Sequence, residues 1–298
     1  MMMSNRSSLF GVLWWQRSLV FVGGGGVAWF VHDVIGWQHL TMPTAPASII
    51  GAALGIFAAF RAHAAYARWW EGRQLWGRLV SASRMWASQC RAYLNDGIVI
   101  DRLVRRHALY VHLLRCQLRR EDPFNDPHVL RLLDRLGLPE KERQRMRAQS
   151  SIGHDLLDEH MATLAAAPLL DPHRLQSLDS TIMTFLDVQG GCERLKQTPM
   201  PRSYGFFVER LLVVFSMLLP WCIVKDVGWL VIPVNVVVGL GFTLITETAR
   251  LLEDPFAHSW HSLPITTIAV DIERDLTQRL GDADLPPAVV VNDQGILW

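Results

Sequence analysis

The chain has 298 residues, half of them hydrophobic, and carries a net charge of +1 at neutral pH. Its mean hydropathy of +0.16 is too high for an ordinary soluble globule and too low for a protein made wholly of membrane spans. A few spans plus a substantial water-exposed part fit both values, and the near-neutral charge gives no footing for a nucleic-acid partner.

The N-terminal stretch MMMSNRSSLFGVLWWQR holds Arg6 and Arg17, and no small-residue cleavage pattern follows the first apolar run. It therefore reads as a retained span rather than a cleaved signal. Apolar segments at 19–35, 45–60, 211–224 and 227–245 approach the roughly 20 residues that a spanning helix needs. The quartet GGGG at 23–26 lacks the Lys-Ser/Thr of a phosphate loop and suits close helix approach instead. Arg61, Arg68, Arg73 and Arg78 follow the second segment and Arg250 follows the fourth, whereas the links at 36–46 and 225–229 hold one Lys between them. The positive-inside rule then puts both termini and the long middle in the cytoplasm.

The middle of the chain reads as helix upon helix. In 101–122, Leu103, Val104, Ala108, Val111, Leu114 and Leu118 recur at helical spacing. Residues 126–150 give a short helix, a Gly-Leu-Pro turn and a second helix start. Asp171 and Pro172 form an N-cap and first helical position for the next helix, which TPMP at 198–201 ends. PAVVV at 287–291 is too short to define a sheet, and 281–298 reads as a poorly ordered or peripheral tail. Four scattered cysteines without a CxxC pair argue against a disulfide framework or a cysteine zinc site. There is no P-loop, no GxSxG and no HExxH, so no metal, no cofactor and no enzymatic activity are expected.

One stretch stands apart. GAALGIFAAFRAHAAYARWWEGRQLWGRL at 51–79 begins without charge and ends dense in Arg, Trp and Glu, with no proline. Ala52, Ile56 and Phe60 fall at i, i+4 and i+8 and share one helical stripe, flanked by Gly51, Ala53, Gly55, Ala58 and Ala59. Periodicity alone leaves two readings. The stripe packs against helices or lipid, or it lines a pore, where apolar rings gate by dewetting.

The same stretch resembles the bestrophin family of ion channels, bacterial branch. The resemblance rests on Phe60-Arg61, Tyr66, Arg68, Trp69-Trp70, Glu71, Arg73 and Leu75-Trp76-Gly77. Two more blocks are similar to the family, GGCERLKQTPMPRSYGFFVERLLVVFSMLLPW at 190–221 and LEDPF at 252–256. The resemblance implies an all-α membrane protein with four transmembrane helices per subunit and a large helical cytosolic region. Five copies would surround a central pore in the bacterial inner membrane. It divides the chain into a first span pair at 1–66, a cytosolic domain at 67–202, a second span pair at 203–250 and a C-terminal cytosolic segment at 251–298.

The resemblance also implies a pore neck of Ala52, Ile56 and Phe60, with Arg61, Tyr66, Arg68, Trp69, Trp70 and Glu71 as scaffold. Arg68 and Glu71, at i and i+3, are expected to pair. The implied partners are lipid, four further copies of the chain and permeant monovalent ions. The closer bacterial match leans to sodium-like cations over chloride, and a non-conducting scaffold or regulatory subunit of the same architecture is the alternative. The chain departs from the family in two places. No acid follows Pro255-Phe256 before Asp271, so a calcium clamp there is doubtful. The outermost neck position is the small Ala52. A second, cytosolic aperture falls near His173, which reads equally as an exposed first-turn residue.

Overall fold

The computed structural model describes residues 4–149, 151–167 and 170–290. The described residues are helical throughout, with no strand. They divide into two compact units. The first holds residues 1–67 and 200–253, and the second holds 68–199 and 254–298.

The first unit contains α1 (Ser4–Trp29), the opening part of α2 (Thr44–Tyr93), α8 (Arg202–Val227) and α9 (Val231–Leu252). Two stretches, Thr44–Tyr93 and Gly205–Leu252, contain segments long and apolar enough to cross a membrane. Large apolar side chains face outward here, among them Val27, Val237 and Leu244, as lipid-facing residues do. Close packing comes from glycines. A Cβ on Gly25 would lie 2.9 Å from the Ile232 Cα, and one on Gly239 would lie 2.7 Å from the Phe21 ring. Gly23 and Gly26 of the same quartet face open space, so one side of the GGGG run brings α1 against α9.

A proline in α8 explains a buried polar group in α9. Pro220 has no N–H for the Ser216 carbonyl one turn earlier. Asn235, 1 % exposed, supplies that donor across the helix interface. Its Nδ2 donates to Ser216 O at 3.2 Å and to Phe21 O at 2.8 Å. In lipid no water is available to satisfy a freed carbonyl, so a neighbouring helix must.

The second unit contains the remainder of α2, then α3 (Gly97–Arg119), α4 (Pro127–Arg135), α5 (Glu140–Ala148), α6 (Ile152–Ala165), α7 (Pro172–Gln197) and α10 (Ile265–Leu280). The sequence dictates their ends. The Asp96 carboxylate accepts from Ile98 and Val99 N–H, and Asp126 does the same for His128 and Val129 with Pro127 in the first turn. Gly281 closes α10 with φ +88°. Trp76, Trp86, Tyr110, Phe185 and Phe256 are buried in one core with the leucines of α3 and α4.

The tail differs from the sequence expectation. Its first part is tied down, because Arg105 and Arg135 hold Asp282 and Asp284, and Arg274 donates to the Pro286 carbonyl. No strand forms at 287–290, and the remainder of the tail expectation, 291–298, lies outside the described residues. All four cysteines are buried and unpaired.

Candidate functional site

α2 is a single helix of 50 residues, about 75 Å at 1.5 Å per residue. It carries one uncovered stripe. Ile49, Ala52, Ile56, Phe60 and His63, spaced by three or four, are all exposed, Ile56 at 56 % and Phe60 at 62 %. Opposite them, Leu54, Ala58, Arg61 and Ala65 are buried. The same steps continue through Ala67, Trp70, Gln74, Arg78, Ser81 and Met85, again all exposed. Arg78 lies eighteen residues after Phe60, about five turns of 3.6, and so shares its angular position.

Three described hollows lie on this stripe, one of them, of about 400 Å³, lined by Gln74 and Arg78 together with Glu71, Asp187, Gly191 and Arg194. In the first unit, Phe60, His63, Ala64, Met200 and Pro201 line a cavity of about 510 Å³. In the second unit, Gln74, Arg78, Ser81 and Met85 line a groove of about 800 Å³ with Ser180, Thr181 and Thr184 of α7. Arg78 is the one ionised side chain among the described lining residues of that groove. It lies 3.9 Å from Asp187, and both side chains are more than half exposed. The Ser81 and Thr184 hydroxyls donate to carbonyls of their own helices, Gly77 O at 3.3 Å and Ser180 O at 3.0 Å.

The scaffold residues go to separate places. Arg61, 6 % exposed, makes two hydrogen bonds to Glu253 Oε1, at 2.9 and 3.2 Å. Its guanidinium fits because position 205 is glycine, where a Cβ would approach within 3.2 Å. Tyr66 and Trp70 are half exposed. The Trp69 indole N–H donates to the His261 carbonyl at 2.9 Å. Gly72 receives Pro255, Phe256 and Leu263 at contact distance, which accounts for the LEDPF block as packing. The expected Arg68–Glu71 pairing is replaced. Arg68 donates to Leu195 O at 2.6 Å and Thr198 O at 2.9 Å, carbonyls at the end of α7 that lack intrahelical partners. Glu71 is paired with Arg194 instead. His173 is exposed in the first turn of α7, its backbone N–H donating to Asp171 Oδ2 at 3.1 Å.

One further cluster brings metal-ligating side chains together. Ligand atoms of His112, His128 and Glu273 lie within 4.8 Å of one another. Burial holds both imidazoles below their ordinary pKa. Burial also works against the Glu273 carboxylate, but His112 and Arg131 outweigh it and keep the group ionised. Two observations argue against a metal. Arg131 already occupies the position, 2.7 Å from Glu273 Oε1 and 3.3 Å from His128 Nδ1. The imidazole planes are parallel within 4° at 5.0 Å, and in-plane lone pairs on stacked rings do not converge on one ion. The cluster is an interior network that joins α3, α4 and α10.

Sequence reasoning stopped the stripe at Phe60 and missed Gln74, Arg78, Ser81 and Met85. The signal that finds them is the same 3.6-residue step carried past the apolar half.

Residues 1–278 match a family model described as "Bacterial/Fungal Bestrophin protein". A curated relative, "Voltage-dependent anion channel-forming protein YneE" of Escherichia coli O157:H7, is 31 % identical over 265 residues, 88 % of this chain and 83 % of that protein. The protein of the same name from Salmonella typhi is 33 % identical over 246 residues, 81 % of this chain and 78 % of that one. Among solved structures, a crystal structure of a bacterial bestrophin homolog from Klebsiella pneumoniae is similar with a TM-score of 0.81 at 30 % identity, covering 90 % of this chain and 98 % of that one. A variant of that homolog matches with a TM-score of 0.83 at 30 % identity, covering 91 % and 98 %.

Proposed function

Because the chain belongs to the bacterial and fungal bestrophin family, whose members are ion channels rather than enzymes, we propose that it is one subunit of a homopentameric passive channel. Each subunit crosses the bacterial inner membrane four times with both termini in the cytoplasm. The membrane domain comprises 1–66 and 203–250, the cytosolic domain 67–202, and the C-terminal cytosolic segment 251–298. Ala52, Ile56 and Phe60 of five copies ring the axis as an apolar neck, and His173 stands at the cytosolic aperture. One observation carries the reading. The stripe that holds these neck positions stays exposed from Ile49 to Met85 of α2, and a second, third, fourth and fifth copy around an axis would leave that face lining a passage.

The permeant ion is a small monovalent anion. Apolar rings do not choose a sign of charge, so the choice rests elsewhere. The relatives carry anion channel in their names, and the α2 stripe from Ile49 to Met85 includes Arg78 and His63 but no carboxylate. Both observations favour an anion over the sodium-like cation expected from the sequence.

The test is ion flux from purified protein in liposomes. Ile56→Ala and Phe60→Ala trim five side chains at once from a dewetting barrier. Each is expected to raise flux several-fold without changing the oligomeric mass. Unchanged flux from both variants at unchanged mass removes the neck assignment, and a monomer mass in detergent removes the ring.

A further inference from the structure

The hydroxyl-lined groove on the cytosolic stretch of α2 has a chemical asymmetry. The Ser81, Thr181 and Thr184 hydroxyls spend their protons on acceptors within the protein. Ser81 donates to Gly77 O, Thr184 to Ser180 O, and Thr181 to Gln89 Oε1 at 2.8 Å. They therefore turn lone pairs, not hydrogens, toward the groove. Lone pairs alone favour a cation. The opposite preference depends on a single group, the Arg78 guanidinium, which adds charge and several fixed N–H donors.

Arg78 is also placed to act on the permeant ion. It shares the angular position of Phe60, about five turns and about 27 Å further along the same helix. Five copies that present Phe60 to an axis present Arg78 to it as well, wherever α2 holds its line. Its nearest carboxylate, Asp187, is 3.9 Å away on an exposed flank. A pair this open is weak, so the guanidinium stays available to an ion in the groove.

We propose that Arg78 is the residue that sets charge selectivity, a ring of five guanidiniums that concentrates small monovalent anions in the groove below the neck. This rests on the pentameric-channel reading and adds to it the filter and its sign. The two halves of the groove have separate jobs. The Ser81 and Thr184 oxygens and the Gln74 amide keep the ion hydrated, and Arg78 decides which ion is present. Asp187 is a brake on that preference.

The experiment measures reversal potentials in asymmetric sodium chloride for wild type, Arg78→Gln, Asp187→Asn and Phe60→Ala, each checked for the wild-type oligomeric mass. Wild type is expected to prefer chloride. Arg78→Gln is expected to lower the chloride-to-sodium permeability ratio by about tenfold, equivalent to about 1.4 kcal/mol of preference. Neutralisation suffices, because Arg78 carries the one formal charge among the described lining residues of the groove. Asp187→Asn is expected to raise the ratio, and Phe60→Ala to raise conductance with the ratio unchanged. An unaltered ratio in Arg78→Gln overturns the assignment while the Phe60→Ala result leaves the channel reading standing. If neither wild type nor Phe60→Ala passes ions, the channel reading falls and the filter falls with it. Should Arg78→Gln lose its assembly, Asp187→Asn decides, and a ratio that does not rise counts against Arg78.

Discussion

Two histidines in the second unit sit where a charge has no place to go. The His107 ring stacks on Phe185 at 4.2 Å, its Nε2 lies 2.8 Å from Ser83 Oγ, and its Nδ1 is buried without a partner. His160 lies 5.1 Å from Trp86 in the same aromatic core. Burial, first among the causes, drives the His107 pKa well down and that of His160 to about 3. An imidazole in the unfolded chain titrates near ~6.5. Below that pH the unfolded state binds protons that the folded state refuses, so stability rises with pH there and is lost as pH falls. The loss is up to ~1.4 kcal/mol per pH unit for each histidine, and it vanishes above ~6.5. The melting temperature of the purified protein is therefore expected to hold steady above neutrality and to drop as the buffer moves to about pH 5. His160→Leu removes one proton acceptor and is expected to show a shallower acid limb in the same melts. Parallel acid limbs for the two proteins would place the sensitivity in other groups.

At the level of whole helices, the first unit is held by a repair. Pro220 breaks the α8 ladder, and Asn235 on α9 mends it by donating to the stranded Ser216 carbonyl. Asn235→Leu leaves that carbonyl without a donor, at a cost of about 1–3 kcal/mol for a buried unsatisfied group. The variant is expected to melt several degrees lower in detergent. Pro220→Ala restores an N–H to the same carbonyl, so the double variant is expected to recover part of the loss. Strictly additive effects would dissolve the link. This pairing was not legible in the sequence, because Pro220 and Asn235 reveal each other only once α8 and α9 lie side by side. What the sequence made legible was local. Asp96, Asp126 and Asp171 cap the helices they precede, Pro127 and Pro172 open theirs, and the apolar runs mark the long helices of the first unit. Local rules also misled. An i, i+3 spacing pointed Arg68 at Glu71, but Arg194 of α7 takes Glu71 and leaves Arg68 to cap the bare carbonyls that end the same helix. The tail from 281 looked loose because Arg105 and Arg135, which help tie it down, are distant in sequence.

Across the whole molecule, α2 is the element shared by both units, and the reading of function follows its one uncovered face. The apolar end of that face was visible as Ala52, Ile56 and Phe60. The polar end was not, because Gln74, Arg78 and Ser81 look like any solvated helix surface until α7 is seen to make the other wall of the groove. Mapping that face chemically needs a reporter that reacts only where it is introduced, and the chain already meets this requirement. Cys90, Cys116, Cys192 and Cys222 are all buried, and burial pushes the thiols of Cys116 and Cys192 up to about 12. Reagents that attack exposed thiolates have nothing to attack in the folded state. The native protein is expected to take up maleimide only after denaturation, measured as a mass increase, and rapid labelling of the folded form would contradict the burial. A single Ser81→Cys change would then be the sole reactive thiol per subunit. The natural sequence thus serves as its own silent background for labelling the α2 face one position at a time, with no cysteine to remove first.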